Sequence, residues 1–352
     1  MMFFVLIFLA ISPFLATSLP SHAKCTHRTA IQRKEWSSST VAERHAYING
    51  IKCLQELPTR LPEIPASQSF YSDFAAIHVN MTLRIHFNGI FYSWHRHFIH
   101  ILEKALHEHC SYPSYLGVPY WNWPLYVEDG KTLETSALFS GSNSSLGSNG
   151  IYDPSVPNDS LPDGSVLPRG TGGGCVYRGP FAYTNITFGP FPPSLLLTGV
   201  PSNWTERNLR CLPRDLNDDI VRSAGNQQRI DAALAQPDIE SFTHWTNDPG
   251  FTSLHVHGHA GVGMTMNDAF GSPQDPVFFL HHAMVDRVWT LWQDLGPDQR
   301  RFTYNGTTVI FNPPNAPLVN NDTVLTWGVL SENKNIWELA DPMAENYCYK
   351  YM

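Results

Sequence analysis

The sequence predicts a mainly α protein with long irregular loops and little β. Three observations carry this. Helix-start signals precede several apolar stretches of helical length, the clearest being the capping box Thr40-Val41-Ala42-Glu43. The chain from about Glu128 to Pro201 is instead crowded with Gly, Ser, Asn and Pro, as in "SGSNSSLGSNG" and "RGTGGGC". The tail from Phe302 to Leu330, rich in Thr, Val, Asn and Pro, reads as extended or irregular. No internal repeat and no second domain is visible.

The elements follow in order. "AERHAYINGIKCLQEL" is a helix that stops before Pro58, and "SQSFYSDFAAIHVNMTLRIH" is a second running towards the breaker Asn88-Gly89. Ser93 is placed to cap a third, "WHRHFIHILEKALHEH", which reaches Cys110; the aromatic "PYWNWP" follows. The loop-rich stretch after it is a long surface excursion, either a lid or binding loop or a glycosylated ornament. Helical signals resume in "DDIVRSAGNQQRIDAALAQ", "PDIESFTHW" and "SLHVHGHAG". Asp275 as N-cap and Pro276 at the first helical position then open "VFFLHHAMVDRVW".

With 352 residues, 42% of them hydrophobic, the chain can bury a large core. Its net charge of −8 argues against nucleic-acid binding, which needs a basic face. Residues 1–23 read as a secretory signal peptide, Phe3 to Ala16 forming its apolar core and Ser21-His22-Ala23 its small-residue end. Ser12 and Pro13 interrupt that run, so no membrane anchor is expected after cleavage. The mature chain, 24–352, is expected to be one secreted domain. Seven N-x-S/T sequons agree, at Asn80, Asn143, Asn158, Asn185, Asn203, Asn305 and Asn321. So do six cysteines (Cys25, Cys53, Cys110, Cys175, Cys211 and Cys348), an even set spaced too irregularly for a zinc ribbon.

The 16 histidines are placed unevenly. On one helix His78 and His86 lie about 80° apart, and the turn at Asn88-Gly89 lets His95 point back at them from the next helix. His255 and His259 stand at i and i+4 on one face, and His282 or its neighbour His281 can add a third imidazole. Two groups of three neutral imidazoles suit copper or zinc. Were "HVHGH" a strand, His255, His257 and His259 would share a face and suggest a zinc hydrolase.

"FYSWHRHF", "PYWNW" and "DPVFFLHHAMVDRVW", with "YCYKYM" near the end, together resemble the tyrosinase and catechol oxidase family of binuclear type 3 copper proteins. The similarity spans nearly the whole mature chain and is greatest to short, secreted fungal members without a C-terminal shielding domain. It implies a central four-helix bundle holding two copper ions, one on His78, His86 and His95 and the other on His255, His259 and His282. Asp286 and His281 would support the ligands, Asp286 by accepting from a ligand ring or by pairing with Arg96 or Arg287. Val256, Ala260, Met264 and Phe279, with Phe278, would stand at the substrate entrance or in the core beside it.

The activity implied is oxidation of a small phenolic substrate by O2, two catechols giving two o-quinones and two waters. Members that hydroxylate monophenols carry Asn directly after the first ligand of the second site, and a Glu upstream. Here Val256 and, in "HWTNDPGF", Thr246 stand at those places, with Asp248 as a substitute if the alignment shifts. O-diphenol oxidation is therefore expected over monophenol hydroxylation. A true tyrosinase, a tailoring oxidase of a phenolic metabolite or peptide, an O2 carrier and a zinc hydrolase are the alternatives.

Overall fold

The computed structural model describes residues 24–128, 130–160 and 166–352; the expected signal peptide, 1–23, lies outside them. The helices are α1 (Val41–Glu56), α2 (Phe70–Ile85), α3 (Phe91–His109), α4 (Pro124–Val127), α5 (Leu195–Thr198) and α6 (Asp218–Ala224). After them come α7 (Gln227–Leu234), α8 (Ile239–Thr246), α9 (Val256–Val262), α10 (Val277–Asp294) and α11 (Pro297–Arg300). Strands among the described residues occur only as short two-stranded pairs. One pair joins Ile31–Arg33 in parallel to Tyr349–Tyr351.

Local chemistry sets the helix starts. Thr40 and Glu43 form the predicted capping box, and Ser69 caps α2 by accepting from the Ser72 N–H. The expected cap Ser93 lies inside α3 instead, which begins at Phe91. The turn before it is organised by Asn88, whose amide donates to the Arg84 carbonyl (2.6 Å) and whose Oδ1 accepts the Ile90 N–H (3.2 Å). Asp275 accepts the Val277 N–H at 3.0 Å, but the regular helix opens at Val277, just after Pro276.

The bundle of α2, α3, α9 and α10 is closed by apolar and ionic contacts. Phe74 and Phe98 pack against Phe279 with ring centroids 5.9 and 5.7 Å away. Phe279 is fully buried there, so it is core and not entrance, contrary to one expectation. Asp286 of α10 bonds to no imidazole. It receives Arg96 of α3 (2.6 Å), Arg33 (3.2 Å) and the hydroxyls of Tyr349 and Tyr351 (2.6 Å each). Arg33 also binds Glu103 at 3.0 Å, while Arg287 lies over Tyr120. Such a buried cluster of paired charges holds α10 against α3 in one rotation, because turning either helix strands a charge in the core. The "WHR" arginine and the terminal tyrosines thus serve the fold.

All six cysteines pair: Cys25 with Cys348, Cys53 with Cys110, and Cys175 with Cys211. The second staples α1 to the end of α3. No helix among the described residues is long and apolar enough to cross a membrane. The short α9 is built to let neighbours approach. A Cβ at Gly258 would stand 2.3 Å from the His281 ring, and one at Gly261 2.2 Å from Val221 of α6.

Candidate metal centre

Two groups of histidines meet where α2, α3, α9 and α10 face one another. His78 lies within α2 and His95 within α3. His86 is not on α2, as its spacing suggested; it follows the last helical residue in extended backbone (φ −117°, ψ 147°). The metal-binding nitrogens of these three lie within 4.8 Å of one another. A second such group contains His255, His259, His281 and His282. The groups abut: the His95 and His282 rings stack at 4.4 Å, and those of His86 and His255 at 6.1 Å.

Hydrogen bonds decide which nitrogens are free to bind. The Nδ1–H groups of His78, His86, His95 and His259 donate to the carbonyls of Phe270 (2.8 Å), Thr82 (3.0 Å), Phe91 (2.9 Å) and Met266 (2.7 Å). That of His255 donates to the Asn247 side chain at 3.0 Å. Carbonyl acceptors force the proton onto Nδ1, so each opposite Nε2 carries a lone pair. Those of His78 and His95 are buried with no protein partner. Nε2 of His259 lies 3.1 Å from the Nε2 of both His255 and His282. Lone pairs converging in this way suit a cation, and an all-imidazole set suits copper or zinc.

His281 is different. Its Nδ1 accepts the Trp123 indole N–H at 3.2 Å, and its Nε2–H donates to the His255 carbonyl at 2.8 Å. Neither nitrogen is available. His257 points away too: α9 is a helix, which removes the strand reading, and the ring lies edge-on to Trp123 at 4.7 Å. His97 bonds to Tyr347 and Ser331.

Burial keeps the rings in their neutral, singly protonated form. His86 is pushed down to about 4 and His259 to about 3, while His78, His95, His255 and His282 fall well below the usual imidazole value. Desolvation leads in every case, and for most neighbouring imidazoles add to it.

The centre opens through a narrow mouth bordered by His86, Phe87, Val256, His259, Pro193 and Leu196. Ala260 and Met264 line an adjoining groove of about 560 Å³ with Phe191, Pro192 and Pro193. The long excursion thus contributes walls to the approach. Phe278 packs against His282 (4.2 Å) and His78 (5.2 Å). Among the described residues, no carboxylate borders the mouth. Thr246 is buried, donating to the Phe242 carbonyl at 2.8 Å and bonded to the Tyr92 hydroxyl. Asp248 pairs with His244 at 3.4 Å, outside the mouth.

Sequence reasoning missed Asn247 and Trp123, which no metal-ligand spacing would single out. Among the described residues, Asn247 is the one side chain that orients one of the six imidazoles through Nδ1; the others lean on carbonyls or, at His282 Nδ1, on no protein partner. Asn247→Ala is expected to weaken binding at the His255 group by roughly 10–100-fold. Copper titration followed by calorimetry checks this, and two unchanged binding events would refute it.

The chain matches the family model described as the common central domain of tyrosinase over residues 68–295. It is 39% identical over 330 residues to tyrosinase P of Aspergillus terreus, covering 91% of each chain. It is 37% identical over 366 residues to an N-acetyl-6-hydroxytryptophan oxidase of Emericella nidulans, covering 97% of this chain and 98% of that one. Among solved structures, a variant polyphenol oxidase from Thermothelomyces thermophila superposes with a TM-score of 0.84 at 35% identity. That match covers 94% of this chain and 90% of the other.

Proposed function

The chain belongs to the tyrosinase family of dicopper oxidoreductases that act on phenols with O2, and from that premise we propose that it oxidises o-diphenols to o-quinones with little or no hydroxylation of monophenols. In this reading His78, His86 and His95 hold one copper and His255, His259 and His282 the other. The inward Nε2 lone pairs support the assignment, and the two engaged nitrogens of His281 support its exclusion. When bound, the copper pair supplies the two-electron oxidation of the catechol and the reduction of O2. The protein's own part is to fix five of the six imidazole tautomers, keep all six rings neutral, and exclude bulk water with Val256, Phe87 and Leu196 at the mouth.

One observation carries the preference for diphenols: among the described residues, no carboxylate at the mouth is placed to take a proton from a monophenol. Val256, which borders the opening, is apolar, and Thr246 is bonded to Tyr92 and Phe242. The two buried acids of the adjoining groove spend their carboxylates on main chain: Asp268 on the N–H groups of Phe191, Phe270 and Gly271, and Asp215 on those of Gly170 and Gly172. A positioned base is worth about 10²–10⁴-fold in rate. O2 uptake by the copper-loaded protein is therefore expected to be at least about 100-fold slower with 4-methylphenol than with 4-methylcatechol. Comparable rates, without lag, would refute the proposal.

We further read the chain as one secreted, glycosylated domain over 24–352. Three disulfides, a main core running from Trp36 to Tyr349, and the exposure of all seven sequon asparagines support this. A second reading, a tailoring oxidase for a larger phenolic, is favoured by the grooves that extend from the mouth and by the relative named for a hydroxytryptophan derivative.

A further inference from the structure

Phe87 follows His86 directly and lies against both histidine groups, its ring 6.2 Å from His86 and 6.2 Å from His255. A further aromatic neighbour is Phe311, stacked nearly parallel (4°) at 5.6 Å. The two rings arrive from opposite ends of the sequence and are joined by main chain. The Phe311 N–H donates to the Phe87 carbonyl at 3.0 Å, and the Ile310 N–H donates to the Leu83 carbonyl at 3.0 Å. Both phenylalanines have positive φ, 49° and 60°, which a bulky residue adopts only where its surroundings hold it there. Phe311 is nonetheless 38% exposed, and a groove runs from the mouth along it past Glu240, His244, Asp248 and Pro249.

We propose that Phe87 and Phe311 form an aromatic subsite for a second ring of the substrate, so that the preferred o-diphenol carries an aromatic substituent on a short linker. The proposal rests on the phenol-oxidase reading of the centre. A catechol at the coppers lies beside Phe87, and a substituent leaving through the mouth on that side meets the exposed part of Phe311. An aromatic ring gains there from stacking as well as from burial. Among the described residues, the groove beyond carries two carboxylates and no lysine or arginine, so an uncharged extension is accommodated and a carboxylate is disfavoured.

The test compares kcat/KM of the copper-loaded protein for 4-methylcatechol and 4-(2-phenylethyl)catechol. The two-ring compound is expected to be preferred by about 3–10-fold, mainly through KM. Phe311→Ala should erase most of that preference, and Phe311→Tyr, which keeps the ring, should retain it. Copper content of two per chain in each variant shows that the centre is intact; if Phe311→Ala does not fold, Phe311→Leu replaces it. No preference in the unaltered protein, or an equal loss for both substrates in the variant, overturns the subsite. If neither catechol is oxidised, the activity reading falls instead. The subsite is then decided by calorimetric binding of the same two probes, whose affinity ratio must drop in Phe311→Ala.

Discussion

His282→Ala is expected to leave one copper per chain and no measurable catechol turnover, whereas His281→Ala should retain two copper ions when metal is supplied in excess. The adjacent residues differ in what their nitrogens face. His282 presents Nε2 to His259 at 3.1 Å and stacks on His95 at 4.4 Å, so its loss removes a donor from the point where three imidazoles converge. His281 has both nitrogens committed, to Trp123 and to the His255 carbonyl. Its truncation leaves a buried indole N–H and a carbonyl unpaired and opens space beside Gly258. The expected cost is about 2–4 kcal/mol of stability, from the cavity and the lost hydrogen bonds together. Metal analysis and thermal unfolding of the two variants separate the roles. Loss of one copper from His281→Ala, with two retained in His282→Ala, would reverse the assignment.

The sequence made α1 legible because its start signal is local: Thr40 with Glu43 acts over three residues. It was less informative where a distant partner decides. His86 looked helical by spacing, yet the chain leaves the helix at Ile85 and Asn88 shapes the next turn. Asp286, one turn beyond His282, invited the role of an orienting acid. Its partners Arg33, Tyr349 and Tyr351 come from the ends of the described chain, and no spacing rule brings them near α10. Phe279 fell to the core and its neighbour Phe278 to the centre by a rotation of about 100°, which periodicity fixes only once the facing helices are known. The same limit hid Asn247 and Trp123, whose importance lies wholly in what they touch.

The metal-free protein is expected to unfold cooperatively as pH falls from about 6.5 towards 4, well before carboxylate protonation would unfold an ordinary domain. His97 and His257 sit at about 3, as does His259; His86 sits at about 4; His78, His95, His255, His281 and His282 are also lowered. In each, burial opposes the charged ring. Folded values below the unfolded value of about 6.5 mean that the unfolded chain takes up protons first. The stability these groups contribute is complete above that pH and is lost as pH falls towards their folded values. Each group adds a slope of up to about 1.4 kcal/mol per pH unit. Several acting together exceed a typical stability of about 5–15 kcal/mol within two units. Asp268 works in the opposite sense: burial raises it to about 6, so its protonation favours the folded state by at most ~3 kcal/mol, too little to offset the histidines. Copper bound to the imidazoles competes with these protons and should move the transition to lower pH. Near-ultraviolet circular dichroism across this range, with and without copper, measures both effects. A metal-free protein that keeps its tertiary signal at pH 4 would show that the histidine cluster admits water and charge, against the burial described above.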